Sequence, residues 1–209
     1  MELIDNLNWR YATKQFDAER VVAAADLDKI QEAVRLSASS YGLQLYKVLV
    51  VSDPELKNKL REASFGQSQI TDASHLFVFC NYQVVDDLHV EEYFKLKSAI
   101  ENQPVASYEG YQNFIKNDLR SRIEIEKVHY TAKQCYLALG NLLVACAELK
   151  IDACPMEGFE ANRYNEILGL AERGLNAAVI AAVGYRSTLD PQQFKPKVRK
   201  PKNELFEVI

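Results

Sequence analysis

The chain has 209 residues, 48% of them hydrophobic and 26% charged, which fits one soluble domain able to bury a substantial core without disulfides or metal. Twenty-five basic against twenty-nine acidic residues leave a formal charge of −4, too mild to point to nucleic acid or an anionic membrane as the partner. No apolar run approaches a membrane span, and the N-terminal MELIDNLNWR carries acids where a signal peptide carries lysines, so the expected location is cytoplasmic.

In chain order, Glu2 to Asn8 reads as a short helix. Arg10 and Lys14 then flank small residues in a turn, a pattern that taken alone is a solvated basic loop. Asp26 or Asp28 is placed to cap a helix reaching Leu36, with Ile30, Ala33, Val34 and Leu36 as its apolar stripe. The hydroxyl-rich Ser37 to Gly42 ends it. Tyr46 to Val51 is valine-rich and reads as a strand buried on both faces. Asp53-Pro54 starts a helix over Glu55 to Ala63, since an Asp cap followed by a first-turn proline favours that geometry.

Leu76 to Tyr82 is a second buried strand, and Asp86 to Ile100 is an irregular helix. Gln103 to Phe114 is aromatic, with Tyr108, Tyr111 and Phe114 forming either a core patch or a flap over a ligand. Uninterrupted helical pattern then predicts one rod from about Arg120 to Lys150. Its second half, from Cys135, is apolar nearly all round, as in a helix buried in a core or an interface. Pro155 and Gly158 stop regular structure in the following Cys154 to Phe159 turn. Ala161 to Leu170 is helical and Ala177 to Gly184 is a third strand. A polar tail with Lys195, Lys197, Arg199 and Lys200 leads to Leu205 to Ile209, which reads as a strand suited to another subunit's sheet. The sum is a single α+β domain over residues 1–209, three-layered, with a small sheet covered by helices.

The chain has eight glycines and neither GxGxxG nor GxxxxGK[ST], which removes a dinucleotide Rossmann turn and a P-loop. It has no GxSxG or HExxH. The four cysteines lie in apolar runs without metal spacing, so no metal site is expected and they read as small buried hydrophobes, with Cys154 beside the turn the one to watch. Chemistry on this chain would come from an organic cofactor held by scattered loops.

Five stretches in order resemble the FMN-dependent nitroreductase family: Arg10 to Phe16 (RYATKQF), Ser37 to Gln44 (SASSYGLQ), Gln67 through Asp72 to His75, the helix and turn Gln134 to Glu160, and Lys197 to Pro201 (KVRKP). They are similar to the subgroup of oxygen-insensitive NAD(P)H nitroreductases and dihydropteridine reductase. The resemblance implies a three-layer α/β/α fold with a mostly antiparallel sheet and a homodimer. In it the long helix is shared at the interface and the C-terminal strand is exchanged. It implies FMN as cofactor, NAD(P)H as co-substrate and a nitroaromatic, quinone or pterin-like small molecule as acceptor. The alternatives it leaves are another flavin chemistry on the same fold (enone reduction, dehalogenation, flavin fragmentation) or flavin binding without turnover.

Residue by residue, the resemblance assigns the FMN phosphate to Arg10, Lys197 and Arg199, within a motif that also includes Tyr11 and Ala12. Lys14 would face the pyrimidine edge, where a cation stabilises the negative charge that builds up as the ring accepts hydride. Ser37, Ala38, Ser39, Ser40 and Gln44 would come from the partner subunit, and Gln67 and Gln69 would contact the pyrimidine. Pro155, Met156, Glu157 and Gly158 would line one ring face, with the Glu157 N–H aimed at N5, which makes Lys14 and Glu157 the catalytic pair. Tyr108, Tyr111 and Phe114 would cover the open face. The chain departs from the family pattern at Ala12, Ala38, Gly42, Leu45 and Gln69.

Overall fold

A computed structural model describes residues 2–209. Its centre is a four-stranded sheet in the order β1 (Tyr46–Val51), β2 (His75–Tyr82), β4 (Leu175–Gly184), β3 (Asp152–Met156), antiparallel throughout. Strand side chains alternate between faces, so β2 sends Leu76, Val78 and Cys80 one way and Phe77 and Phe79 the other. The first face packs under α3 (Pro54–Glu62), α4 (Gln69–Asp72) and α8 (Ala161–Ile167), through Leu60, Ile70 and Tyr164. The second packs under α2 (Ala24–Arg35) and α7 (Glu124–Glu148), through Ile30, Cys135, Ala138, Leu142 and Cys146.

One irregularity sets the sheet's phase. Phe79 pairs Val179 while Cys80 pairs Ala177, so Ala178 has no opposite residue and β4 bulges there. The extra residue leaves Ala178 and Val179 both toward the α2/α7 layer, after which Ile180 and Ala182 return to the other. A third cluster lies beside the sheet. There α5 (Asp87–Glu101) and α6 (Glu109–Ser121) enclose Val90, Phe94, Ile115 and Leu119 with Leu43 and Leu45.

Several expectations are corrected. The rod is two helices, because Arg122 and Ile123 are extended and the Glu126 carboxylate accepts a hydrogen bond from the Ile123 N–H at 3.1 Å. What remains, α7, has 25 residues and is about 37 Å long. It has a buried face and a second one on which Tyr136, Leu137 and Val144 stand exposed in the single chain. β1 is an edge strand with only Val51 fully buried, so its valines do not report burial on both faces. α2 is preceded by Ala23 with no side-chain cap; Asp26 pairs with Lys29 at 2.8 Å instead.

The turn expected at Cys154 to Phe159 begins three residues later, at Glu157, since Asp152 to Met156 is strand. Pro155 is tolerated because β3 lies at the sheet edge, where a missing N–H need not face a neighbour. Leu205 to Ile209 forms no strand in the single chain: α9 (Lys202–Leu205) is followed by four exposed residues outside any ladder. Among the described residues no helix is long and apolar enough to cross a membrane.

The end of β4 is packed against backbone. A Cβ on Gly184 would lie 2.9 Å from the Ser74 N and 3.1 Å from the Phe16 ring, contacts that neither backbone nor buried ring can relieve freely. Gly184→Ala is therefore expected to lower stability by about 1–3 kcal/mol in chemical denaturation; an unchanged midpoint would show that the Phe16 and Ser74 segments yield.

Candidate functional site

A cavity of about 400 Å³ opens where the first motif meets the C-terminal tail. Arg10, Tyr11, Ala12 and Lys14 line it from one side, and Gln192, Lys195, Lys197 and Arg199 from the other. Five of its lining side chains are basic and none is acidic. Among the described residues the Arg10 guanidinium has no hydrogen-bond or ion-pair partner, and Arg199 donates only to the carbonyl of its neighbour Val198. Lys197 donates to the carbonyls of Leu7, at 2.8 Å, and Arg10, beyond the last turn of α1 (Glu2–Trp9).

The charges oppose one another. Burial lowers the Arg10 pKa and the nearby Arg199 lowers it further; Lys197 is lowered by burial, then by Arg10 and Arg199. The cluster is thus held in place by the fold at an electrostatic cost, which an anion would reverse.

Two buried carboxylates hold the motif beneath it. Asp190 has no exposed surface. Its Oδ2 accepts from the Tyr11 hydroxyl at 3.0 Å and from the Lys14 and Gln15 N–H groups at 2.8 and 3.3 Å, and its Oδ1 from the Gln192 N–H at 3.0 Å. Burial alone would raise the Asp190 pKa, but these donors outweigh it and the net value lies below the ordinary carboxylate. Asp152, on β3, receives the Arg186 Nε at 2.7 Å and the Thr13 hydroxyl at 3.3 Å. The Arg186 guanidinium lies over the Trp9 ring at 4.2 Å and the Tyr11 ring at 4.6 Å. A bridge between Ala12 and Ala153 completes the attachment, so the methyl of Ala12 sits where the backbone does the work.

Lys14 reaches from this segment toward β3, its Nζ 3.9 Å from the Cys154 Sγ. Burial pushes the Cys154 thiol up, and Lys14 and Arg10 only partly oppose it, so the sulfur is a neutral acceptor. Immediately beyond are Pro155 and Met156 at the end of β3, and Glu157 and Gly158 exposed after it. Gln67 ties that turn down: its Nε2 donates to the Gly158 carbonyl at 2.7 Å. Gln69 is buried at the start of α4. Glu157 accepts from the Tyr136 hydroxyl of α7, which with burial raises the Tyr136 pKa to about 12.

The remaining expected residues gather elsewhere. The Ser40 N–H donates to the Gln134 side chain at 2.8 Å, Asn141 donates to the Ser37 hydroxyl at 2.9 Å, and Ser39 accepts from the Gln44 N–H at 3.0 Å. Ala38 is exposed between them. This loop meets the aromatic patch, with Tyr41 edge-on to Phe114. Tyr111 stacks on Phe114, and Tyr108 and Tyr111 pack against the buried Phe94. The patch is thus anchored in the third core cluster, with Tyr111 and Phe114 still half-exposed. One chain presents two separate groups of the expected residues, the cation pocket with its turn, and the serine loop with its aromatics.

A family model described as the nitroreductase family matches residues 7–185. The chain belongs to the nitroreductase family. A Bacillus subtilis protein named as an NAD(P)H nitroreductase, YfkO, is 38% identical, covering 100% of this chain and 97% of its own length. A Staphylococcus haemolyticus protein named in the same way is 34% identical over 99% of this chain and 97% of its own. Among solved structures, the B. subtilis nitroreductase ydfN has a TM-score of 0.89 at 22% identity, covering 100% of this chain and 99% of its own. An Exiguobacterium sibiricum nitroreductase solved with FMN has 0.85 at 17%, covering 100% and 98%. These likenesses establish the nitroreductase fold for the chain.

Sequence reasoning missed Asp190, Asp152 with Arg186, Lys195 as a pocket residue, and the Tyr136 to Glu157 bond. Asp190-Pro191 does repeat the cap-and-proline signal of Asp53-Pro54, and it does cap a short 3₁₀ turn over Pro191–Phe194. Nothing local shows that the same carboxylate also holds residues 11 to 15. Because the Asp190 pKa is lower folded than unfolded, its stabilisation is present above the unfolded value of about 3.9 and is lost as pH falls through the folded one. The stability gap between wild type and Asp190→Asn in urea unfolding should therefore be constant above about pH 5 and shrink below about pH 4; a gap that does not narrow on acidification would show that the charge of Asp190 is not what stabilises.

Proposed function

We propose that the chain is an FMN-dependent NAD(P)H oxidoreductase acting as a homodimer on small acceptors such as nitroaromatics, quinones or pterin-like compounds. The observation that carries this reading is the cluster of Arg10, Lys197 and Arg199, mutually repelling and without any carboxylate in the cavity they line. A phosphate monoester fits that donor set: guanidinium groups offer paired N–H donors to its oxygens, and its charge relieves the repulsion. FMN, when bound, supplies two-electron hydride chemistry between nicotinamide and acceptor. The chain's residues bind and bias. Arg10, Lys197 and Arg199 take the phosphate, and Lys14, whose ammonium has no carboxylate partner among the described residues, is a cation available to a group that becomes electron-rich beside it. Gln67 fixes the turn that presents Pro155 to Gly158, including the N–H of Glu157, one residue past the last ladder residue Met156. No side-chain nucleophile is required.

The homodimer reading rests on the two separate residue groups. The loop Ser37 to Ser40 with Gln44, and the aromatics Tyr108, Tyr111 and Phe114, would serve the partner's pocket. The exposed Tyr136, Leu137 and Val144 of α7 would form the contact, and the exposed Phe206, Val208 and Ile209 would add to the open edge of β1 in the partner.

Anaerobic titration of the flavin-loaded protein with NADH or NADPH should bleach the visible band stoichiometrically, and a nitroarene or quinone should restore it. In the same assay Arg199→Ala should retain FMN more weakly by about 1.5–3 kcal/mol. A bound flavin that neither nicotinamide reduces would end the oxidoreductase reading, and unchanged retention would remove Arg199 from the site. By sedimentation, the loaded protein should be dimeric at micromolar concentration and lose dimer on deletion of Phe206 to Ile209; a flavin-bound monomer would refute the assembly.

A further inference from the structure

The cation pocket is built from two segments some 180 residues apart, and the cations that face each other across it belong to different segments: Arg10 and Lys14 to one, Lys195, Lys197 and Arg199 to the other. Like charges do not bring such segments together. Besides Lys197, which donates to the Leu7 and Arg10 carbonyls, the group that does is Asp190, fully buried, without a cationic partner within ion-pair distance among the described residues, and accepting from both segments at once. Its two oxygens divide the task. Oδ2 takes the Tyr11 hydroxyl and the Lys14 and Gln15 N–H groups, and Oδ1 takes the Gln192 N–H at the start of the turn that leads to Lys195. The Ser187 N–H to Gln15 carbonyl bond, at 2.9 Å, adds one further tie.

We propose that Asp190 is a positioning residue for phosphate-ester recognition, clamping the Tyr11 to Gln15 segment against the Pro191 to Phe194 turn so that the cations of both converge on one anion. The inference rests on the phosphate reading of the pocket given above. An aspartate meets the requirement because both of its oxygens accept. An asparagine in its place turns one oxygen into a donor facing either the Gln192 N–H or the Tyr11 and Lys14 donors, so one segment is released whichever way the amide lies.

The test separates clamping from general stability by comparing two ligands that differ only in the phosphate. The full-length protein freed of flavin is titrated with FMN and with riboflavin, following quenching of flavin fluorescence. Wild type should prefer FMN strongly. Asp190→Asn should lose about tenfold or more in affinity for FMN while riboflavin changes by less than about twofold, the size expected when contacts to a charged group are misaligned. Tyr11→Phe, which removes one donor at the same carboxylate and keeps the ring under Arg186, should lower the FMN preference by a smaller factor. Equal weakening for both ligands would make Asp190 a stability residue only and overturn the proposal, as would an unchanged ratio in Asp190→Asn. A wild type with no preference for FMN over riboflavin would overturn the phosphate reading itself.

Discussion

The arrangement depends on holding uncompensated positive charge at one place. Arg10, Lys197 and Arg199 disfavour one another, and Arg10 and Lys197 sit partly out of water, so the cluster persists because the backbone around it is fixed by acceptors that do not enter the pocket. Asp190 and Asp152 lie beneath, where they grip N–H groups, a phenol and Arg186. The carbonyls of Leu7 and Arg10 anchor the stem of Lys197. The negative groups are spent on the framework, and the cavity wall keeps only cations. That division sets the cavity apart from an ordinary ion-pair network and suits it to an anion.

The sheet explains why this framework can be rigid. β3 is an edge strand, but it is bonded along its length to β4, which from Val179 to Gly184 is fully buried between two helical layers. Asp152, Ala153 and Cys154 therefore present fixed points to the first motif through Arg186, the Ala12 bridge and Lys14. The same strand runs into the Glu157 turn. The phosphate end and the ring end of the proposed site thus share one support, and the chemistry is set by loops on a stable frame.

The other group of residues has a different foundation. Ser37 to Gln44 hang from α7 through Gln134 and Asn141, and the aromatics lean on Phe94 in the third cluster. The long α7 touches both groups, through Gln134 and Asn141 to the serine loop and through Tyr136 to Glu157.

The sequence by itself determined β1, β2 and β4, most of the helices and the nitroreductase resemblance, because runs of valine, capping pairs and ordered motifs are local signals, and only that resemblance grouped Arg10, Lys14, Lys197 and Arg199. It misread what depends on neighbours. Helical pattern carried straight through Arg122 and Ile123, since neither residue forbids helix and only the Glu126 carboxylate closing on the Ile123 N–H marks the start. Valines in β1 read as doubly buried, although burial is a property of strand order and β1 falls at an edge. Pro155 read as the end of regular structure, although an edge position leaves a proline harmless. Tertiary structure alone decided that Asp190, an unremarked cap in a polar tail, would serve a segment near the other end of the chain. A carboxylate's partners are chosen by what the fold packs against it, and no spacing in the sequence encodes that distance.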